Sequence, residues 1–374
     1  MKKLFKKIYK LLDNFQSQKV LLKNDKLTTI IQNFYAGYSN DLTDLSKAFN
    51  IISNDNSNNN YLNTVIIQDN NTFEELNNFM LSAKLCNTDF TNKFNSATKS
   101  SSIIKCSVDH NFYIMKCYDY FFYLFNKQTK ESIMLVTDNY KAKAMINILL
   151  LTPYVMMGEL NVIHGGLVNK KDKNVLISNS SLGGKTTLAI LFADHDWNIV
   201  TEENTYVSKN GYILPFNVRN YFNIRAGTYL TFKDFFLRNN IKYEPFLAMD
   251  GMSASELFKY EKKEQLSIDF RKLGKPFTLP KQKITHSIRI SLVENSNLII
   301  TQQQPHSLVD SFLQICTSPT VELFQELLNF KGIDISKRIK NLNKIVNNIN
   351  NFEIITGLDY KNNFDKIINT MELQ

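Results

Sequence analysis

Hydrophobic and polar positions divide the first half of the chain into a helical part and a β-like part. Residues 1–95 show helical periodicity interrupted by polar loops, such as the Asn-rich residues 53–64. Residues 101–136 are rich in aromatic side chains and predict a meander of antiparallel strands. Residues 142–157 then predict a buried helix that ends or kinks at Pro153.

The second half of the chain alternates between strand-like and helix-like segments. A hairpin is predicted in "TYVSKNGYILPF", because Asn210-Gly211 is a strong turn signal between two apolar runs. The other predicted strands are residues 162–168, 175–178, 197–204, 286–294, 297–304 and 352–359, and the predicted helices are residues 188–193, 306–316 and 362–371. This alternation favours a mixed α/β architecture.

A glycine-containing loop lies between one predicted strand and the next helix. The strand "VLIS" ends at Ser178, and residues 188–193 are helix formers without Gly or Pro. Between them, Gly184-Lys185-Thr186 matches the end of the phosphate-binding pattern G-x-x-x-x-G-K-[ST]. The glycine lets backbone N–H groups surround phosphate oxygens, and the lysine reaches the terminal phosphates. The hydroxyl is a Mg²⁺ ligand at a helix N-terminus.

The front of the loop departs from this pattern. Asn179 stands where the pattern has its first glycine, and Asn is the residue that, after Gly, best tolerates a positive φ. The candidate nucleotide-binding run consists of Asn179, Ser180, Ser181, Leu182, Gly183, Gly184, Lys185, Thr186 and Thr187. Taken alone, this run leaves two interpretations open, a nucleotide site and a turn that opens an ordinary helix.

The order of the motifs around the loop resembles the HPr kinase/phosphorylase family, whose kinase core is shared with phosphoenolpyruvate carboxykinases. His164 precedes a glycine on the strand before the loop, and the pair Glu202-Glu203 follows the strand after it. The typical loop of that family, G-x-S-G-x-G-K-[ST], has glycines where this chain has Asn179 and Leu182. The resemblance implies an α/β (α+β) fold, a P-loop-containing core of strands flanked by helices with a smaller mixed domain before it.

The resemblance also implies roles for individual residues. Lys185 would neutralise the phosphates, and Thr186 with Glu202 would hold Mg²⁺. Either carboxylate of the pair could orient the metal, in which case the other accepts the proton of the attacking hydroxyl. Glu202 and Glu203 are therefore both candidate catalytic residues. His164 would lie in the active site. The alternatives are an acidic pair that caps a strand end near lysines, and a histidine buried for structural reasons.

These expectations assign different tasks to two domains. Residues 1–155 are predicted to form a mixed helix and β-meander domain, and residues 156–374 an HPr kinase-like nucleotide-binding domain. The leading hypothesis is a kinase that uses Mg²⁺ and ATP or GTP to phosphorylate a hydroxyl, on a Ser or Thr of a peptide or protein substrate, for example in peptide natural-product biosynthesis. The alternative is a non-catalytic nucleotide-binding regulator or assembly partner with a degenerate loop.

Composition narrows the class of protein and its surroundings. The net charge of +9 comes from 44 Lys and Arg against 35 acidic residues, without a compact basic and aromatic cluster. This favours a solvated lysine-rich surface and no nucleic-acid partner. Four scattered cysteines without a CxxC pair favour reduced thiols and a cytoplasmic location. The longest apolar run, residues 148–158, is shorter than the ~20 residues that span a bilayer.

The first fifteen residues, "MKKLFKKIYKLLDNF", predict a basic amphipathic helix. Lysines interrupt its apolar residues, which excludes a signal peptide. The favoured interpretation is a helix that packs on its own domain with its lysines in water. Docking to an anionic membrane surface or to a partner protein is the alternative. The oligomeric state, a homo-oligomer included, is left open by the sequence.

Overall fold

The computed structural model of the protein describes most of the chain in separate ranges. These are Lys10 and residues 17–23, 27–52, 61–82, 103–109, 112–117, 120–126, 128–137, 140–179, 184–202, 204–216, 221–253, 256–257, 264–269, 273, 282–293, 297–303, 335–357 and 360–373. They belong to two compact units, and the boundary falls between Leu160 and Asn161. The predicted tasks of the two domains stay predictions. The amphipathic N-terminal helix, apart from Lys10, and the helix at residues 306–316 lie outside the described residues.

The first unit is built on one seven-stranded sheet. Its strands are β1 (Gln18–Lys23), β2 (Thr28–Phe34), β3 (Tyr61–Gln68), β4 (Ile103–Asp109), β5 (Phe112–Cys117), β6 (Phe121–Asn126) and β7 (Glu131–Val136). Its helices are α1 (Ser39–Ile52), α2 (Asn70–Ser82) and α3 (Tyr140–Met156), with a 3₁₀ helix at Ala36–Tyr38. The strand order is β1-β2-β3-β7-β6-β5-β4, and β2, β3 and β7 run parallel to one another.

The structure confirms the predicted meander and the predicted helix at residues 142–157, and it corrects the prediction for residues 1–95 and an end of the helix at Pro153. The antiparallel meander is confirmed, since β4 to β7 pair in sequence. The mostly helical reading of residues 1–95 is wrong, because β1, β2 and β3 lie there. Segments such as "TTIIQNF" are β-branched and pair with strands far along the chain, which overrides their local periodicity. Helix α3 continues through Pro153 to Met156, so the helix does not end at that proline.

The second unit contains the remaining elements. Its strands are β8 (Leu160–Lys170), β9 (Lys173–Ser178), β10 (Asn198–Thr201), β11 (Asn204–Ser208), β12 (Ile213–Leu214), β13 (Tyr221–Ile224), β14 (Leu266–Asp269), β15 (His286–Leu292), β16 (Ile299–Gln302) and β17 (Asn350–Thr356). Its helices are α4 (Lys185–Asp194), α5 (Ala226–Thr231), α6 (Lys233–Arg238), α7 (Glu244–Leu247), α8 (Ile335–Val346) and α9 (Phe364–Thr370), with a 3₁₀ helix at Tyr360–Asn363. Strands β8 to β12 and β15 to β17 and helices α4 and α9 follow predicted segments, whereas no element was predicted at β13, β14 and α5 to α7. The predicted hairpin is confirmed by the β11–β12 pair with Gly211 at φ +81.

The main sheet of the second unit has eight strands. Seven follow the order β12-β11-β8-β9-β15-β17-β16, and β10 pairs with β8. Strands β9, β15 and β17 are parallel, whereas β8 runs antiparallel to both β9 and β10. The carboxyl ends of β9, β10, β15 and β17 therefore lie at one edge of the sheet, which we call the loop edge. Ligands of open α/β sheets gather at such an edge.

Both faces of this sheet are covered by apolar side chains. Val175 and Ile177 of β9 pack in one cluster with α4, α5, α6 and α9. Leu176, between them in sequence, points to the other face and packs with Leu342 and Ile345 of α8. This alternation is the period-two pattern of a strand buried on both faces. It fixes β9, and hence the loop that follows it, inside the unit. None of the described helices combines the length and apolarity needed to cross a bilayer.

Candidate functional site

The glycine-containing loop starts at the end of β9 and finishes at the first turn of α4. Gly184 has φ +90, a left-handed conformation that favours glycine, and a Cβ there would lie 2.9 Å from the Leu292 side chain. At the other end, the Asn179 side-chain amide donates a hydrogen bond to the Ile290 carbonyl oxygen. Both ends of the loop are thus held against β15. Residues 180–183 lie outside the described residues.

Lys185 lies at the start of α4 and reaches back across the loop. Its Nζ donates to the Asn179 carbonyl oxygen at 2.9 Å and lies 3.2 Å from Nε2 of His164. An ammonium group has donors and no acceptor, so a hydrogen bond between the two requires an unprotonated Nε2. The imidazole in this contact is then neutral, with its proton on Nδ1. The predicted proximity of His164 to the loop is present in the structure.

Thr186, the next residue of α4, faces the acidic segment after β10. Its hydroxyl donates to Glu202 Oε1 at 3.3 Å. Because a hydroxyl has one proton and two lone pairs, this orientation directs the lone pairs of Thr186 away from the carboxylate. Glu203, the second member of the predicted pair, lies outside the described residues. The structure therefore pairs Thr186 with the acidic residue that directly follows β10.

The oxygen atoms of Thr186 and Glu202 suit a hard divalent cation. Mg²⁺ prefers hydroxyl, carboxylate and phosphate oxygens, and it takes only one or two protein carboxylates when it binds with a nucleotide. Adjacent ligands at an octahedral Mg²⁺ lie about 2.9 Å apart, from a metal–oxygen distance of about 2.05 Å. The observed 3.3 Å between these two oxygens is close to that spacing, and joint coordination requires the Thr186 O–H to turn away from Glu202 so that a lone pair faces the ion. The atom types and their separation then fit the ion.

The second threonine of the loop motif has a different environment. Thr187 Oγ1 lies 2.9 Å from Thr228 Oγ1, on helix α5. This contact was not predicted, since residues 187 and 228 are brought together only by the packing of α5 on the first turn of α4.

The structure brings together part of the predicted set. Lys185 meets His164 and Asn179, and Thr186 meets Glu202, all at the loop edge. Thr187 directly follows Thr186 in α4, and its hydroxyl contacts Thr228. The predicted residues on which the structure is silent are Ser180, Ser181, Leu182, Gly183 and Glu203.

Comparisons with known proteins show weak structural similarity. No protein-family model matches the sequence, and no curated protein matches it. Among solved structures, the HPr(Ser) kinase/phosphatase from Coxiella burnetii is similar at 14% sequence identity with a TM-score of 0.23, over 56% of this chain and 87% of that one. A TM-score this low carries no argument about the site.

Proposed function

We propose that the second unit is a kinase that uses Mg²⁺ and ATP or GTP to phosphorylate a hydroxyl, on a Ser or Thr of a peptide or protein. The observation that carries the proposal is the placement of Thr186 opposite Glu202 at 3.3 Å, one residue from Lys185 at the start of α4. A cation, a hydroxyl and a carboxylate at a helix N-terminus are the groups that phosphoryl transfer requires.

The phosphate-binding part of the proposal rests on Lys185 and the first turn of α4. Its ammonium is held beside the loop by Asn179 and lies next to His164. In this proposal the phosphate oxygens of the bound triphosphate accept hydrogen bonds from the Lys185 ammonium. The first N–H groups of α4 face the same anion. In this proposal Nε2 of His164 accepts a hydrogen bond from the lysine and keeps it directed at the loop.

The remaining part of the proposal concerns the two carboxylates. Thr186 and Glu202 would hold Mg²⁺, which, when bound, neutralises charge on the phosphates. Glu203 would accept the proton of the attacking hydroxyl, which requires it to lie within hydrogen-bond reach of that hydroxyl. Two carboxylates in one site repel each other unless a cation stands between them. We therefore assign Mg²⁺ binding to Glu202 and proton acceptance to Glu203.

One observation favours the alternative function, a nucleotide-binding protein without catalysis. Asn179 occupies a position that the phosphate-binding pattern gives to glycine, and its side chain is bonded to Ile290 on β15. This position then lacks the backbone freedom that glycine gives a phosphate-binding loop. On this alternative, nucleotide binding would regulate an assembly or a partner.

The test compares Lys185→Ala with a matched lysine variant. Lys170 also makes one short bond to backbone, with its Nζ 2.9 Å from the His195 carbonyl oxygen, and it lies at the far end of β8. Lys185→Ala should weaken ATP or GTP binding with Mg²⁺ roughly 10–100-fold, the scale of a lost charged hydrogen bond, and Lys170→Ala should not. Calorimetry measures binding, and phosphate release or autophosphorylation measures turnover.

The outcomes separate the two functions. Turnover in the wild type that Lys185→Ala abolishes supports the kinase. Tight binding without turnover, tested also on arrays of Ser- and Thr-containing peptides, supports the non-catalytic alternative. Equal nucleotide affinity in Lys185→Ala and the wild type would contradict both functions, because each requires the loop to bind the nucleotide.

A further inference from the structure

A chain of buried hydroxyl groups joins β10 to β8 beside the proposed site. Thr205 Oγ1 donates to the Gly165 carbonyl oxygen at 2.8 Å, and Thr201 Oγ1 lies 2.6 Å from Thr205 Oγ1. Both threonines are fully buried. The single proton of the Thr205 hydroxyl is used by Gly165, so Thr201 must donate to Thr205. The chain therefore has one direction, from Thr201 through Thr205 to Gly165, and bonds in such a chain strengthen one another.

These hydroxyls close the base of the turn that carries Glu202. Thr201 is the last residue of β10, and Thr205 belongs to β11. The acceptor at the end of the chain, Gly165, directly follows His164 on β8. One end of the hydroxyl chain thus holds the acidic turn, and the other end holds the residue next to the histidine that contacts the lysine of the loop.

Gly166 brings the same turn close to β8 through the backbone. A Cβ at this position would lie 3.0 Å from the Glu202 carbonyl oxygen and 3.3 Å from that of Thr201. Glycine therefore lets the turn approach the strand more closely than other residues would. With the turn held by both its hydroxyls and its backbone, the Glu202 side chain reaches Thr186.

We propose that Thr205 is a positioning residue of the phosphoryl-transfer site, whose hydroxyl holds Glu202 opposite Thr186 and ties that carboxylate to the strand of His164. The inference rests on the proposed function, because Glu202 serves the metal and the nucleotide there. Loss of the hydroxyl leaves the Thr201 hydroxyl without its acceptor and the Gly165 carbonyl without this donor, in a place with no exposed surface. The turn then loosens, and Glu202 is no longer held at the spacing that suits Mg²⁺.

The experiment uses three variants of the full chain. Thr205→Val removes the hydroxyl at nearly constant volume, and Thr205→Ser keeps it. The matched control is Ser287→Ala, because Ser287 is also fully buried and donates to Asn351 Oδ1 at 2.9 Å. Ser287 pairs with Leu176, whereas the last residue of β9 is Ser178, so the lost bond lies farther from the loop edge. Thr205→Val removes the two buried hydrogen bonds of the Thr205 hydroxyl, and Ser287→Ala removes one. Only the bonds of Thr205 belong to the acidic turn.

Two measurements decide the proposal. Amide hydrogen exchange without nucleotide should be at least about 10-fold faster around residues 201–206 in Thr205→Val alone, because each lost buried hydrogen bond is worth roughly that factor. The Mg²⁺ concentration for half-maximal nucleotide binding should rise about 10-fold in Thr205→Val, while nucleotide affinity in EDTA stays at its wild-type value. Thr205→Ser should match the wild type in both.

Each contrary result has a definite meaning. Unchanged exchange in Thr205→Val, or equal acceleration of the turn in Ser287→Ala, overturns the positioning role. Faster exchange with an unchanged Mg²⁺ requirement overturns the link between the turn and the site. A wild-type protein that binds no nucleotide overturns the proposed function and, with it, the link to phosphoryl transfer. The exchange data would then show only whether Thr205 holds the turn.

Discussion

Buried polar groups serve different purposes in the two units. In the first unit they are paired deep inside the fold. The Tyr154 hydroxyl lies 2.7 Å from the Leu22 carbonyl oxygen and 2.9 Å from Thr29 Oγ1, and burial raises the pKa of the Tyr154 phenol. The hydroxyls of Thr64 and Ser132 lie 2.9 Å apart between β3 and β7. Such fully enclosed pairs stabilise a fold and leave nothing for a ligand.

At the candidate site of the second unit, the polar groups lie at one edge of a sheet and are only partly buried. Lys185, Thr186, Glu202 and His164 all keep some exposed surface, and their contacts include one of Lys185 with His164 and one of Thr186 with Glu202. The contrast teaches that the degree of enclosure, more than the number of polar groups, separates a structural network from a candidate site. The predictions below test that separation.

The largest expected effect is on the stability of the first unit. The Phe122 side chain is fully buried, with its ring 4.6 Å from that of Phe73. Phe122→Ala should cost about 3–5 kcal/mol of unfolding free energy, the usual range for an emptied aromatic site in a core. Nucleotide affinity of the folded protein should not change. Circular dichroism in denaturant measures the unfolding free energy, and calorimetry measures the nucleotide affinity. A parallel loss of affinity would contradict the assignment of nucleotide binding to the second unit alone.

Substitutions in the acidic pair should have the next largest effect. Glu→Gln at the proton-accepting residue should keep nucleotide binding and lower turnover ~10²-fold or more, the scale of a lost general base. Glu→Gln at the metal-binding residue should instead raise the Mg²⁺ requirement. The contact with Thr186 favours Glu202 for the metal role and leaves Glu203 for the base. Single-turnover kinetics and Mg²⁺ titration distinguish them, and full activity in both variants would leave the non-catalytic function ahead.

A pair of glycine variants gives a smaller and better controlled effect. Gly184 and Gly211 have φ +90 and +81, so alanine strains both backbones similarly, at about 1–2 kcal/mol of stability. Only at Gly184 would the new Cβ crowd a side chain, Leu292, at 2.9 Å, whereas at Gly211 the nearest atom lies at 3.4 Å on Ile345. Gly184→Ala alone should therefore weaken nucleotide binding. Equal affinities in the two variants would mean that the loop does not contact phosphate.

The smallest expected effect is a pH dependence of stability from His286, which is buried at the start of β15. Burial, and then the charge of Lys173, lowers the pKa of the His286 imidazole below 6.5, partly opposed by the Met371 backbone, Glu372 and Asp172. The unfolded chain then binds more protons below pH 6.5, so this contribution to stability is complete above that pH and is lost as the pH falls through the lower folded value.

The measurement compares denaturant unfolding of the wild type and His286→Gln between pH 5 and pH 7. The wild type should lose more stability on acidification than the variant, which cannot titrate at this position. Equal losses would show that His286 does not contribute to the pH dependence.

The sequence predicted the elements of the second unit well, because its signals are local. The apolar run of β9, the helix formers of α4 and the turn at Asn210-Gly211 each specify structure over a few residues. The strands of the first ninety-five residues were missed, because β2 is stabilised by pairing with β1 and β3 and its own pattern is weak. For strands, such cross-strand neighbours decide more than intrinsic preference.

The site was predictable only where its residues belong to a motif. The motif order placed Lys185, Thr186, Glu202 and His164 together, and their contacts agree with that grouping. The hydroxyl chain through Thr205 has a faint sequence signal, a Thr on each side of the acidic pair. Its acceptor on β8 depends on the alignment of three strands, which no local pattern specifies.

The antiparallel pairing of β8 with β9 also has a consequence for the order of folding. Because the two strands form a hairpin, Lys185 meets a histidine only 21 positions earlier in the chain, whereas Ser178 on β9 reaches Ile288 on β15 across 110 positions. Closing a short loop costs less entropy and takes less time than closing a long one. We expect the contact between Lys185 and His164 to form together with the β8–β9 hairpin and α4, before β15 joins the sheet.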